Sequence, residues 1–390
     1  MSSPAQRDPL RIGFLINPIA GLGGKVGLHG TDGRLVDIAR ERGAKDHSTS
    51  RARITLQGLK QLEGIEFLTP SGEMGGALLG QLRQEEVLSI PFTLTRYQVS
   101  NPPTSEDTKA LGDEFLREGV DLILFAGGDG TARDIFAVVG DRIPILGIPS
   151  GVKMRSGVFG LHPSDVAEII ARLVTQSVRS YTSAEILDLG VGSTEYSASE
   201  FFGVARTPAA PDLIQRSKSS HSTTSETGLK ELAIHYANTL LPGTLYLFGP
   251  GGTTQLILRA VVANESLDAA GVHALLDGEV IGHDLSEAQI LDLLERYANV
   301  SLMVGVIGGQ GYLFGRGNQQ LSAAVIDRIG WDRITILASS TKLLELMPVV
   351  LHVDFTEPLS TPPPSYVKVN TTVTRSVVCR LLHQVASPDK

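Results

Sequence analysis

The stretch Asp121-Leu-Ile-Leu-Phe-Ala-Gly-Gly-Asp-Gly-Thr131 decides how the rest of the chain is read. Residues 121–126 are almost wholly apolar, the pattern of a strand buried on both faces of a parallel sheet. Gly127, Gly128 and Gly130 then turn the chain, and 132–139 follow as a helix. An acid set among glycines at the end of a buried strand is costly for stability, because ordering glycine loses more chain entropy. An Asx turn with a helix cap is the plain alternative. The functional reading makes Asp129 the acceptor of a substrate hydroxyl proton, or a ligand to magnesium. Glycine N–H groups can approach a phosphate closely, the helix N-terminus favours an anion, and Thr131 caps the helix or touches a phosphate oxygen.

The same grammar extends outward. Residues 11–16 form a short apolar strand that ends in Asn17-Pro18 and a glycine-rich loop, Gly21–Gly30. Helices are expected at 32–42, 56–62 and 73–83, and a strand at 65–69. Thr104-Ser-Glu-Asp107 is a capping box for a helix reaching Glu118, closed by Gly119. A strand at 143–149 with Ser150-Gly151 as its turn, then a helix from Pro163 to 176, continue the alternation. Strand–loop–helix units in this order imply a parallel sheet covered on both faces.

The region 183–245 is less regular, and the serine-rich stretch 216–227 reads as a mobile loop. Beyond it, strands are expected at 244–248, 301–307, 333–338 and 350–353, with helices at 255–262, 286–297, 323–329 and 342–347. Gly249–Thr254 and Gly308–Gly317 are loops, and 366–383 is β-rich. The expected fold is α/β. A Rossmann-like parallel sheet with the Gly-Gly-Asp-Gly-Thr motif forms an N-terminal domain, 10–180. A second, mixed α/β domain follows, 181–390, and the active site is expected in the interdomain cleft.

Composition narrows the classes. Of 390 residues, 42 are glycine, well above the usual ~7%, and they gather after the expected strands, where an open parallel sheet places its ligand crevice. The single cysteine, Cys379, excludes an internal disulfide and a cysteine zinc site, which suits a cytoplasmic home. With 34 basic and 42 acidic residues the net charge is −8, so no broad basic field invites nucleic acid or an anionic membrane. No run of about 20 apolar residues spans a bilayer. Gly21-Leu-Gly-Gly-Lys-Val lacks the third glycine of a dinucleotide fingerprint, and Lys25 precedes Val26 rather than Ser or Thr, so it is no P-loop. His273 and His283 have no obvious third metal ligand.

Together these motifs resemble the NAD kinase and diacylglycerol kinase superfamily, most closely its ATP-NAD kinase-like, acetoin-catabolism protein X-like branch. The agreement includes Asn17-Pro-Ile-Ala-Gly-Leu-Gly-Gly-Lys-Val-Gly27, Gly72-Glu-Met-Gly75, Phe125–Ile135, Gly147-Ile-Pro-Ser-Gly-Val-Lys-Met154, Gly249–Thr254, Ile307–Gly311 and Gly315-Arg-Gly-Asn-Gln-Gln320. The resemblance implies transfer of a phosphoryl group from ATP, or polyphosphate, to the 2′-hydroxyl of NAD, with Mg2+ between phosphate oxygens and Asp129 as general base. The nucleotide and its phosphates would meet Asn17, Gly21, Gly23, Gly24, Gly127, Gly128, Gly130, Thr131, Gly151, Lys153, Gly251, Thr253 and Thr254. The substrate would meet Asp107, Thr108, Gly309, Gln310, Arg316, Asn318 and Gln319, where Arg316 can fork onto phosphate or carboxylate. Ordinary capping explains Asp107 and Thr254 equally well. The second Asn-Glu/Asp motif of NAD kinases has no placed counterpart, so phosphoryl transfer rests on more residues than recognition of NAD does. A homo-oligomer is expected. The rival functions are a kinase of another small-molecule or lipid hydroxyl, and a non-catalytic nucleotide-binding regulator of a metabolic dehydrogenase system.

Overall fold

The computed structural model describes residues 8–22, 47–151, 154–176, 179–188, 200–215, 226–262, 271–307, 310–346 and 349–383. The helix expected at 32–42 and nearly all of the serine-rich stretch lie outside them. The described residues divide into two compact units, one within Met1–Gly21, Asp46–Gly192 and Ala198–Lys218, the other within Leu22–Lys45, Ser193–Ser197 and Ser219–Lys390.

The first unit runs β1 (Leu10–Ile16), α1 (His47–Gly58), β2 (Ile65–Thr69), α2 (Gly76–Gln84), β3 (Phe92–Leu94), α3 (Ser105–Glu118), β4 (Leu122–Gly127), α4 (Asp129–Val139), β5 (Ile145–Pro149), α5 (Pro163–Thr175), β6 (Tyr181–Asp188) and β7 (Glu200–Pro208). Its five-stranded sheet has the order β3-β2-β1-β4-β5, and every pairing in it is parallel. The apolar runs are explained by cover on both faces. Leu122, Leu124 and Ala126 of β4 pack with Ala52, Leu56 and Ile170 from α1 and α5. Ile123 and Phe125 pack with Phe115 and Ile135 from α3 and α4. Each such side chain contributes about 1.5–3 kcal/mol when fully buried. The hairpin β6–β7 follows residue 180 and belongs to this unit.

Several elements start where the caps predict. Thr104 and Asp107 form the capping box of α3, and Gly119 closes it at φ 66°. Helix α4 begins earlier than expected, at Asp129, because Ala132 N–H already bonds Gly128 O. Helix α1 spans 47–58 rather than 56–62. Its buried face is Ser48, Arg51, Ala52, Thr55 and Leu56, a helical spacing hidden from a hydrophobic count by polar side chains. Ser48 Oγ donates to Ala20 O and Thr55 Oγ1 to Pro163 O, which is how hydroxyls are accommodated there.

The second unit runs α6 (Glu226–Asn238), β8 (Leu245–Phe248), α7 (Gly252–Val261), β9 (His273–Leu276), β10 (Glu279–Gly282), α8 (Glu287–Arg296), β11 (Val300–Gly305), β12 (Tyr312–Phe314), α9 (Ala323–Ile329), β13 (Ile334–Leu337), α10 (Ser340–Leu344), β14 (Val350–Val353), β15 (Tyr366–Asn370) and β16 (Ser376–His383). These strands form one mixed sheet in the order β10-β9-β8-β11-β13-β15-β16-β14-β12. Ile307 N–H donates to Tyr312 O, so β12, last in that order, begins beside the end of β11 and the sheet curls. Strand β12 lies within the segment expected as loop 308–317: three residues between glycines give too short a run to signal a strand. No helix among the described residues is long and apolar enough to cross a membrane.

Candidate active site

In the first unit the strand order reverses between β1 and β4. That is where open α/β sheets bind ligands, outside the carboxyl ends of the strands. The loop after β1 is tied across this point: Asn17 N–H donates to Ala126 O at 2.9 Å, and Asn17 Nδ2 to Thr131 Oγ1 at 2.9 Å. The turn after β5 joins them, with Ser150 and Gly151 N–H both reaching Gly127 O. Gly128 and Gly151 lie back to back. A Cβ on Gly151 would stand 2.8 Å from Gly128 Cα, and one on Gly21, at φ +80°, would clash with Ser150 O. Main chain alone fits there. The structure thus brings together Asn17, Gly21, Gly127, Gly128, Gly130, Thr131 and Gly151 from the sequence reading. Gly23, Gly24 and Lys153 lie outside the described residues.

Asp129 is the first residue of α4 and is 6% exposed. Gly128, at the N-cap, has no side chain with which to cap the helix, so the first N–H groups of α4 lack an intrahelical partner and suit an anion. The carboxylate itself turns to the loop after β5. Arg155 N–H donates to Oδ2 at 2.7 Å, and Ser156 gives Oδ1 its N–H at 2.9 Å and its hydroxyl at 2.7 Å. Burial pushes the Asp129 carboxyl up to about 7 against these bonds, with the Asp188 charge acting in the same direction. Its remaining acceptor capacity is on Oδ2, since a carboxylate offers about four lone-pair sites.

Around it stand residues whose roles the sequence did not reveal. Arg133 pairs with Asp188 at 2.7 Å and with Asp134 at 3.2 Å, and its guanidinium lies over Phe202, so it links α4 to both strands of the hairpin. Desolvation raises the Asp134 carboxyl, with Arg133 opposing. Gly130 faces this ion pair, its absent Cβ 3.8 Å from Asp188 Oδ2. Ser156 sat in plain view after Gly147–Met154, but only folding shows which carboxylate it serves. Asp129, Asp134 and Asp188 do not make a metal site: Asp129 is turned to N–H and O–H donors, and Asp134 and Asp188 share a guanidinium. Among the described residues no group of three or more His, Cys, Asp or Glu is placed to hold a metal ion.

Asp107 has local work. It is buried and accepts from Tyr97 Oη, Ser100 N–H, and the N–H and hydroxyl of Thr104. Desolvation would raise its pKa, but these bonds prevail and hold it down at about 2. Thr108 beside it is buried. Asp107→Ala is expected to cost about 2 kcal/mol in urea unfolding, by loss of the cap and of partners for buried donors. The contribution is fully present above pH ~4 and fades toward pH ~2, because the folded pKa is the lower one. Unchanged stability with weakened nucleotide binding would instead place Asp107 in the substrate site.

The second-unit candidates are also engaged internally. Thr254 Oγ1 is within hydrogen-bonding distance of both Gly249 O and Gly251 O, tying the turn before α7, and Thr253 packs against Gly305. Arg316 is buried, bonded through Nε to Asp354 at 3.1 Å, and stacked over Tyr312 at 4.2 Å. Its Nε is thus engaged by a carboxylate of its own unit. Asn318 Nδ2 donates to Leu313 O, and its Oδ1 accepts Gly315 N–H, bonds that hold the turn itself. Gln310 and Gln319 are buried, and Gly309 lies outside the described residues. His273 and His283 meet edge to face, 6.0 Å between centroids.

Residues 12–178 match the family model described as the ATP-NAD kinase N-terminal domain. The match spans the parallel sheet, the Asn17–Thr131 tie and Asp129, and makes this segment NAD kinase-like. It supports a kinase-type function with ATP as nucleotide ligand. No curated protein and no solved structure matches the chain.

Proposed function

We propose that the protein is an NAD kinase-type phosphotransferase that forms NADP from NAD. The observation that supports this best is a buried carboxylate, Asp129, at an uncapped helix N-terminus on the switch point of a segment of this family. In this reading Asp129 takes the proton of the adenosine ribose 2′-hydroxyl. The freed oxygen attacks the γ-phosphorus of ATP, the bond to the bridging oxygen breaks, and ADP leaves. Asn17, Gly21, Gly127, Gly128, Gly130, Thr131 and Gly151 hold phosphate through main chain and hydroxyl, so catalysis is chiefly positioning. The described carboxylates do not fit a protein-held Mg2+. The acidic charge and lone cysteine fit a cytoplasmic enzyme.

The test is a panel with γ-labelled ATP and, separately, polyphosphate, offered NAD, NADH, a small diol and a diacylglycerol. Label should enter NAD or NADH and yield the 2′-phosphate. Label entering only the diol or lipid, or none of the acceptors, would overturn the reading.

A further inference from the structure

Ser156 was not among the residues singled out by the sequence, and it is wholly buried. Its hydroxyl has one proton and two acceptors within reach: Asp129 Oδ1 at 2.7 Å and Leu187 O at 2.9 Å. Leu187 N–H donates to the same oxygen at 3.0 Å, so the hydroxyl is held from β6 while its proton has a choice. The surrounding main chain is pinned. Gln215 Nε2 donates to Ser156 O at 2.7 Å, and Gly157 N–H donates to Glu185 O at 3.0 Å. The oxygen therefore stays in place and only the O–H bond turns.

Which acceptor wins depends on charge. An ionised carboxylate is a much stronger acceptor than an amide carbonyl, since a charge-assisted bond is roughly twice as strong as a neutral one. A protonated carboxyl loses that advantage, whichever oxygen carries the proton, and the Leu187 carbonyl competes for the hydroxyl. We propose that Ser156 is a positioning residue whose hydroxyl follows the charge of Asp129, donating to Oδ1 when the carboxylate is ionised and to Leu187 O when it is protonated.

The device gives a buried carboxyl a bond that exists only in its charged form, which keeps that form reachable despite desolvation. It also carries the state of Asp129 into β6. The next residue there, Asp188, adds its charge to the rise that burial imposes on Asp129, and Arg133 of α4 holds it while also binding Asp134. Arg155, in the loop itself, faces Asp129 through its N–H. Proton transfer from substrate through this pair rests on the proposed role of Asp129 as base; the turning of the hydroxyl does not.

The experiment uses carbon-13 NMR on the whole chain, following the Asp129 carboxyl, assigned by its loss in Asp129→Asn, and the Leu187 carbonyl across pH 5–9. In the native protein both should move with one midpoint. Ser156→Ala should raise the Asp129 midpoint by about one pH unit and leave Leu187 silent, while Ser156→Thr, which keeps the hydroxyl, should restore both. If the protein is an active kinase, the acid limb of its pH–rate profile shifts with the same variants, about tenfold in kcat/KM at pH 6. A Leu187 carbonyl that stays still while Asp129 titrates in the native protein overturns the proposal, even if Ser156→Ala fails to fold. An inactive enzyme with coupled midpoints overturns the kinase reading alone.

Discussion

Asp129→Asn is expected to lower kcat and kcat/KM for the proposed phosphoryl transfer together, by roughly 10²–10⁴-fold, the usual scale for loss of a general base. The fall is expected to be equal because, in the proposed role, the group acts on a proton that moves only in the transition state. The amide keeps the shape of the side chain but cannot satisfy its surroundings. Arg155 N–H points at one oxygen and Ser156 N–H at the other, so either orientation of the amide sets an NH2 group against a main-chain N–H. Such an unpaired buried donor costs about 1–3 kcal/mol. The rate is therefore read on folded protein, with circular dichroism and a thermal scan beside each assay. Folded Asp129→Asn with a near-native rate would remove this carboxylate from the chemistry and leave it as a staple of the 155–156 loop.

The second large effect is on stability against pH, and its sign is opposite to the common carboxylate case. The Asp129 carboxyl is raised to about 7 in the folded protein from an ordinary 3.8. Between those values the folded chain holds a proton that the unfolded chain has released. Stability is then greatest below pH ~4, falls as pH rises toward 7, and levels off above, with a total cost of ~4 kcal/mol. Asp129→Asn has no such ionisation. Urea unfolding of the native protein and the variant at pH 5 and pH 8 should therefore show the variant gaining relative stability at the higher pH, by roughly 3 kcal/mol. Other titrating groups are shared and cancel in the comparison. A constant difference between the two pH values would mean that Asp129 is ionised throughout, with its three bonds outweighing desolvation.

Much of the first unit was legible because its strands are buried on both faces and its caps are explicit. Leu122–Gly127, the Thr104–Asp107 box and Gly119 all read directly from residue type. Helix α1 was harder, since Ser48, Arg51 and Thr55 occupy its inward face and polar residues carry no hydrophobic period. The loop clustering followed from the parallel order, so Asn17 meeting Thr131 was in reach of sequence. What sequence could not give is direction. Arg316 reads as a phosphate fork by residue type, and the fold sets its Nε on Asp354. Ser156 carries no signal of its own in the sequence and holds Asp129. In each case the partner lies more than twenty residues away, and only the fold decides which long-range pair closes.

The back-to-back glycines have one more consequence. Where Gly128 and Gly151 meet, a side chain on either would run into the main chain of the other, so that spot offers no side chain to exchange. Substitutions that retune these loops would therefore act at positions that already carry a side chain, such as Arg133 beside Asp188.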